Sequence, residues 1–278
     1  MSRPTHNPLG MVVAITGGAR GIGLATAKAF IAAGAQVAIG DIDAECAADQ
    51  ARVLGARSRV VDVTDTASFV EFLDTFESQL GPVDVLVNNA GIMPLGPLVE
   101  EPDEVTRRIL SVNLLGVTTG TKLAMARMVP RGTGHIVNVS SAVGRVAVPH
   151  AATYSATKFA VVGLTEAVRA ELRGTGVHAS VILPAIVNTE LGSGLRTTRV
   201  SAPVEPEDVA AAIIRTVRKP RFETWVPRTN YVGYRVASML PRFWFEALSR
   251  ATGSVDILSS ADAPARAAYE ERARRPIE

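Results

Sequence analysis

Short runs of β-branched and other apolar residues alternate along this chain with longer stretches in which Ala and Leu recur at helical spacing. The runs at Met11–Ile15, Gln36–Gly40, Arg59–Val61, Val83–Val87, His135–Val139, Val177–Leu183 and Glu223–Val226 predict strands. The stretches between them predict helices at Ile22–Ala33, from Ala44, at Thr66–Leu80, at Asp103–Met128, at Ala152–Arg173 and from Pro206. Near-continuous apolar strands that alternate with helices point to an α/β fold of the Rossmann type. This is a doubly wound parallel sheet of about seven strands with helices on both faces and right-handed crossovers. Leu191–Pro203 is rich in Gly, Ser and Thr, lacks periodicity and reads as a flexible loop.

Beyond the last strand the pattern changes. Tyr231–Arg250 predicts a helix that Pro241 kinks or splits; it mixes Tyr231, Tyr234, Met239, Leu240, Phe243, Trp244, Phe245 and Leu248 with Arg235, Arg242 and Arg250. The stretch from Ala261 is charged and alanine-rich and predicts a frayed helix. The expected division is a domain at 1–228 and an extension at 229–278 that packs on it. The alternatives for this tail are a lid over a pocket, a cover for a subunit interface, or a membrane-surface helix.

Composition narrows the class. Hydrophobic residues make up 47% and charged residues 20% of the 278 residues, enough to build a full core. The net charge of +2 gives no field that would draw the chain to nucleic acid. The single cysteine, Cys46, excludes an internal disulfide and fits a cytoplasmic setting. The first ten residues lack the apolar core of a signal peptide, and no apolar run has the length of a membrane span. The histidines show no ligand spacing, so no metal is expected; His150 is read as a substrate contact or loop packing.

Two constellations carry chemistry. Strand one runs into Thr16-Gly17-Gly18-Ala19-Arg20-Gly21-Ile22-Gly23 and then a helix, a turn that lets a pyrophosphate approach the backbone and a helix N-terminus. Asp41, at the end of strand two, is placed to bond both ribose hydroxyls of an adenosine and to repel a 2′-phosphate. That repulsion costs about 4 kcal/mol at an effective dielectric near 20, roughly a thousandfold in affinity. NAD is therefore expected over NADP, although Arg20 has reach to a phosphate. The second constellation is Tyr154 and Lys158, one helical turn apart, with Ser141 upstream. A phenol beside a fixed ammonium becomes a proton donor and acceptor, its pKa drawn below its ordinary value near 10.

In their order and spacing these residues resemble the short-chain dehydrogenase/reductase family over roughly residues 10–228. The resemblance implies Gly17, Arg20, Gly21, Ile22 and Gly23 as the cofactor turn, and Asp62 and Val63 as adenine contacts. Asn88-Asn89-Ala90-Gly91 matches the motif that lines the cofactor and stabilises the sheet. It further implies a catalytic set of Asn113, Ser141, Tyr154 and Lys158, with Asn113 holding a water of a proton relay and Lys158 holding the nicotinamide ribose. Val187 and Thr189 match the carboxamide contacts. The family usually reads Pro-Gly where this chain has Pro184-Ala185, so that loop is expected to differ. The implied activity is hydride transfer between NAD and a secondary alcohol or ketone. Apolar loops at Ile92–Pro97, Val143–His150 and Ala185–Val200 favour a steroid-, terpenoid- or lipid-like substrate. An NADP-dependent ketone reductase and a non-catalytic dinucleotide binder are the rival readings. The resemblance also implies a homodimer or homotetramer paired through the two long helices.

Overall fold

The computed structural model describes residues 7–195, 202–237, 239, 241, 243–244, 258–259 and 261–274. Its strands are β1 Val12–Thr16, β2 Gln36–Asp41, β3 Arg57–Val60, β4 Val85–Asn88, β5 Gly134–Val139, β6 Val177–Pro184 and β7 Glu223–Val226. The helices are α1 Gly21–Ala32, α2 Ala44–Leu54, α3 Thr66–Leu80, α4 Asp103–Leu110, α5 Val117–Met128, α6 Ala152–Glu171, α7 Pro206–Arg218 and α8 Thr229–Ala237. A C-terminal helix spans Ala263–Arg274. The strands form one parallel sheet in the order β3-β2-β1-β4-β5-β6-β7. The order reverses between β1 and β4, and loops from the carboxyl ends of those strands open a crevice there.

Both faces of the sheet are covered, which is why the central strands read as apolar; the edge strand β3, Arg57-Ser58-Arg59-Val60, is the polar exception. Val13 and Ile15 of β1 face Ala27 and Phe30 of α1 and Ile213 and Val217 of α7. Val12 and Ala14, on the opposite pleat, share a core with Phe69, Phe72 and Phe76 of α3 and Met128 of α5. Those phenylalanines stack edge-on at 6.2 and 5.2 Å. The helices begin where short carboxylates satisfy their first N–H groups: Asp43 caps α2 through the Cys46 N–H, Asp65 caps α3 through Ala67, and Glu205 and Asp208 form a capping box on α7.

One predicted helix departs from its sequence pattern. Asp103–Met128 is helical throughout, but Ser111–Gly116 is wound as a π-helix between α4 and α5. The extra residue per turn aims Asn113 at the loop after β4, where its side chain bonds both backbone groups of Ile92. The same stretch is also long and apolar enough to cross a membrane, with a mean hydropathy of 1.2 over its best window, contrary to the sequence expectation. In this fold its inner face, Val105, Ile109, Val117, Ala124 and Met128, is buried against the protein.

The loop expected to be flexible is described at 191–195 and 202–203; positions 196–201 lie outside the described residues. In the tail, the helix expected over Tyr231–Arg250 begins as α8, and Trp225 stacks on Tyr234 with ring centroids 5.3 Å apart. Met239, Phe243 and Trp244 are exposed. Leu240, Arg242, Phe245, Leu248 and Arg250 lie outside the described residues.

Candidate active site

The glycine turn closes directly on the motif after β4. Gly17 has φ +63°, and a Cβ there would lie 2.9 Å from Ala90 Cα. A Cβ on Gly23 would lie 2.1 Å from the Gly17 carbonyl oxygen, so only glycine fits. Asn89 holds the turn from the other side: its Nδ2 donates to the carbonyls of Thr16 and Gly17 at 3.0 and 2.9 Å. Thr16 Oγ1 accepts the Asn89 and Ala90 N–H groups. Below them, Asn88 and Asn138 bond each other across β4 and β5 at 2.9 Å. Helix α1 starts at Gly21 and Ile22 with no side-chain cap and no acidic residue in its first turn. Its terminal N–H groups remain available to an anion. Thr189, after β6, packs against Gly21 and closes the far side of this cradle. These features fit a dinucleotide pyrophosphate. Gly23→Ala is expected to weaken NAD binding at least about a hundredfold, read by titration; unchanged affinity would dissociate the turn from the cofactor.

The residues expected on the adenosine side are held by local bonds. The Asp41 carboxylate accepts N–H groups from Ala19 and Asp43 at 3.0 and 3.1 Å, which fixes it at the rim of the turn. Arg20 is committed elsewhere: it pairs with Asp43 at 2.6 Å and approaches Glu190 at 4.0 Å. The Asp43 hydrogen bond raises the pKa of that guanidinium, while the Cys46 N–H and Arg20 together lower that of Asp43. Asp62 bonds the Thr64 N–H and hydroxyl, and Val63 is packed against Gly116.

Tyr154, Lys158 and Ser141 meet at the carboxyl end of β5. Ser140 Oγ donates to the Lys158 carbonyl at 2.8 Å, and Gly144 lies so close to α6 that a Cβ would sit 2.7 Å from the same oxygen. The loop after β5 is thereby clamped to the first turns of α6. Ser141 Oγ accepts the Val143 N–H at 3.2 Å, reaches the Pro184 carbonyl at 3.5 Å and hydrogen-bonds the Tyr154 phenol. Lys158 Nζ donates to the Val139 carbonyl at 3.2 Å and lies 5.5 Å from the centroid of the Tyr154 ring. A Cβ on Gly91 would lie 3.4 Å from Asn113 Oδ1 and 3.6 Å from Lys158 Nζ, so this glycine keeps the space between the two open.

Protonation differs from the sequence expectation of an acidified phenol. Tyr154 and Lys158 are both about 5% exposed. Burial pushes the phenol up to about 12, against an opposing hydrogen bond from Ser141, and pushes the ammonium down to about 8. The cleft withdraws both groups from water, and each favours its neutral form there.

The remaining positions expected to touch the cofactor, Val187 and Thr189, sit on one loop. Val187 is buried and bridges to Val204; Thr189 Oγ1 caps the following turn at Gly192. Ala185, where the family pattern has Gly, keeps an ordinary φ and donates its N–H to Val226 at 2.8 Å. The strand therefore simply continues through Pro184, and no left-handed residue is required. His150 does adopt the left-handed region, at φ +61°, and its carbonyl takes the Gly96 N–H, tying two cleft loops together.

The apolar loops expected on the substrate side do meet at Tyr154; sequence reasoning missed what the tail adds to them. Met93, Ala151, Tyr154 and Leu258 form a buried apolar cluster with Leu95, Val143, Val148, Leu191 and Leu195 packed around it. Leu258 comes from the tail, as do Arg266 and Tyr269 of the C-terminal helix, which bond the loop after β4. The available signal was a single aromatic, Tyr269, three residues after Arg266 on one face of an otherwise charged helix. A separate cavity of about 650 Å³ lies between β7 and α8, lined by Arg145, Arg221, Trp225, Arg228 and Tyr234 among others.

A parallel sheet with a glycine turn at its switch point and a buried Ser-Tyr-Lys cluster beside it defines a dinucleotide-binding protein with a reaction cleft. The model of the family described as short chain dehydrogenase matches residues 11–200, and the chain belongs to that family. It is 33% identical over 259 residues to the "Probable oxidoreductase EphD" of Mycobacterium tuberculosis, covering 83% of this chain and 43% of that protein. The chain thus spans less than half the length of that relative. It is 36% identical over 212 residues to a 3-alpha-(or 20-beta)-hydroxysteroid dehydrogenase of the same organism, covering 74% of this chain and 82% of that one. Among solved structures, a short-chain dehydrogenase/reductase from Burkholderia phymatum in complex with NAD superposes with a TM-score of 0.78 at 26% identity, covering 84% of this chain and 95% of that chain.

Proposed function

We propose that this chain is an oxidoreductase that moves hydride between NAD and a hydrophobic secondary alcohol or ketone. The observation that carries the reading is the convergence of Ser141, Tyr154 and Lys158 in a buried apolar cleft beside the glycine turn. When bound, the nicotinamide accepts or supplies hydride. In oxidation, Tyr154 first gives its proton to the outward relay, and the resulting phenolate takes the substrate hydroxyl proton as hydride leaves the carbinol carbon. In reduction, the same phenol protonates the developing alkoxide. Ser141 donates a hydrogen bond to that oxygen, where charge grows in the transition state. The Lys158 ammonium holds the ribose and stabilises the phenolate, and Asn113 with a water passes the proton outward through the space beside Gly91.

Residues 17–23, Asp41, Asp62, Val63, 89–91, Pro184, Val187 and Thr189 are assigned to the cofactor. NAD is favoured over NADP because Asp43 neutralises Arg20, the one cation that had kept NADP in contention, while Asp41 stays aimed at the ribose. The apolar lining and the hydroxysteroid-dehydrogenase relative support a hydrophobic substrate. Residues 1–228 are read as the catalytic domain and 229–278 as an extension of it. Half-exposed Leu115 and Phe159 on the long-helix face support a homodimer or homotetramer, which a native mass would reveal as a monomer if this is wrong.

A spectrophotometric screen of hydrophobic secondary alcohols is expected to show reduced cofactor with NAD, and NAD is expected to bind at least about a hundredfold tighter than NADP. Equal or tighter binding of NADP overturns the cofactor assignment. Binding of NAD without turnover of any alcohol or ketone leaves only a dinucleotide-binding role.

A further inference from the structure

The C-terminal helix is bolted across the mouth of the cleft by a buried arginine. Arg266, 2% exposed, donates from Nη1 to the carbonyls of Leu191 and Ser193 at 2.9 and 2.8 Å and from Nη2 to that of Met93 at 3.0 Å. Its Nε pairs with Glu270 at 3.1 Å, and Glu270 in turn takes the Leu95 N–H at 3.3 Å. One side chain thus joins the loop after β4 to the loop after β6, the two jaws of the substrate cleft. Arg274 adds a bond to the Leu95 carbonyl at 2.8 Å, and Arg272 pairs with Glu190 at 2.5 Å. A buried guanidinium with its donors this fully used holds its helix in one place.

What that helix presents to the cleft is Tyr269. Its Oη accepts the Met93 N–H at 2.7 Å, and the Arg266 guanidinium lies 5.1 Å from its ring centroid. A phenol that accepts one bond still has its own O–H to give, and among the described residues no acceptor takes it. Burial raises its pKa, and a charge on Tyr154 raises it further, so the group stays a neutral donor. The wall at Met93 is apolar: Leu258 is buried against Tyr154 and Met93, with Val143, Val148 and Leu195 alongside.

We propose that Tyr269 is a specificity-determining residue that donates a hydrogen bond to a second oxygen of a hydrophobic substrate, one remote from the carbon that exchanges hydride. The favoured substrates are then hydroxyketones, diketones or keto esters with an apolar body between the two oxygens. The proposal rests on the oxidoreductase reading above. Losing Tyr269 would also strip the Met93 N–H of its acceptor, a structural effect that falls on every substrate alike. Only the hydrogen bond to substrate distinguishes one ketone from another.

The test compares matched ketones with reduced cofactor: cyclohexanone against 1,4-cyclohexanedione, and 5α-androstan-3-one against 5α-androstane-3,17-dione. For the pair whose spacing fits, the wild-type protein is expected to prefer the dicarbonyl by about tenfold in kcat/KM, beyond the statistical factor of about two for equivalent carbonyls. Tyr269→Phe is expected to bring the dicarbonyl-to-monoketone ratio of kcat/KM down to that statistical factor, whatever common factor the lost Met93 bond imposes on both ketones. Tyr269→His, which retains a donor and an acceptor, is expected to keep part of the preference and serves where the Phe variant does not fold. A preference that survives Tyr269→Phe, or wild-type protein that turns over monoketones without preferring either dicarbonyl, overturns the proposal and leaves the oxidoreductase reading intact. Failure to reduce any ketone removes both.

Discussion

Tyr154→Phe is expected to lower kcat by about a thousandfold while leaving the affinity for NAD within about threefold. The proposed mechanism gives the proton exchange with the reacting oxygen to this phenol, and among the described residues its hydrogen-bond partner is Ser141. Removing its oxygen leaves the ring, which fills the same apolar site beside Met93, Ala151 and Leu258. Ser141 keeps the Val143 N–H and the Pro184 carbonyl as partners, so it stays in place. The cost to folding should be under about 1 kcal/mol, the net worth of one hydrogen bond whose other partner remains satisfied. Steady-state rates, cofactor titration and a urea melt separate these effects. Turnover within tenfold of wild type would take the phenol out of the reaction.

Lys158→Met is expected to move activity and stability in opposite directions. Lys158 is buried, with the Val139 carbonyl as its hydrogen-bond partner and the Tyr154 ring as its neighbour. Burial brings the ammonium from 10.5 down to about 8. A cation whose folded pKa is depressed opposes folding. Between about pH 8 and 10.5 the unfolded chain holds a proton that the folded chain has lost, so stability rises with pH across that window. Below about pH 8 both states are protonated and the full penalty, up to about 3 kcal/mol, is present. Above pH 10 the raised pKa of Tyr154 acts the other way, because the unfolded phenol ionises first. The methionine variant is therefore expected to be more stable than wild type at pH 7 without cofactor and to lose the rise between pH 8 and 10.5. Its turnover should fall at least about a hundredfold, since nothing then holds the ribose or stabilises the phenolate. Urea melts at pH 7 and pH 9.5 read the first effect. A variant less stable at pH 7 would show that Lys158 supports the fold rather than strains it.

Much of this architecture was legible in the chain. The strands lie within two residues of their predicted runs, because Gly, Pro and Asp punctuate them and because burial on both faces of the central strands leaves no polar alternation to confuse the period. The glycine turn was legible for a local reason too: Gly17 and Gly23 stand where a Cβ has no room, and that demand is written at single positions. The break in the long helix was not legible. Asp103–Met128 has an unbroken helical pattern, and the π-helical segment coincides with two bonds between Asn113 and Ile92, partners remote in sequence. The C-terminal stretch was legible as a helix but not in its docking: Arg266 is buried among backbone carbonyls that carry no residue-type signature.

By itself, then, the sequence determined the alternation of strand and helix, the turn that admits a dinucleotide and the residue types of the Ser-Tyr-Lys cluster. These follow from hydrophobic period, backbone sterics and spacing along one helix, all of them local properties. The tertiary structure decided the protonation of that cluster and the enclosure of the cleft. Desolvation of Tyr154 and Lys158 depends on everything packed around them, and the helix that covers them is held by carbonyls of Met93, Leu191 and Ser193 that only the folded chain brings together.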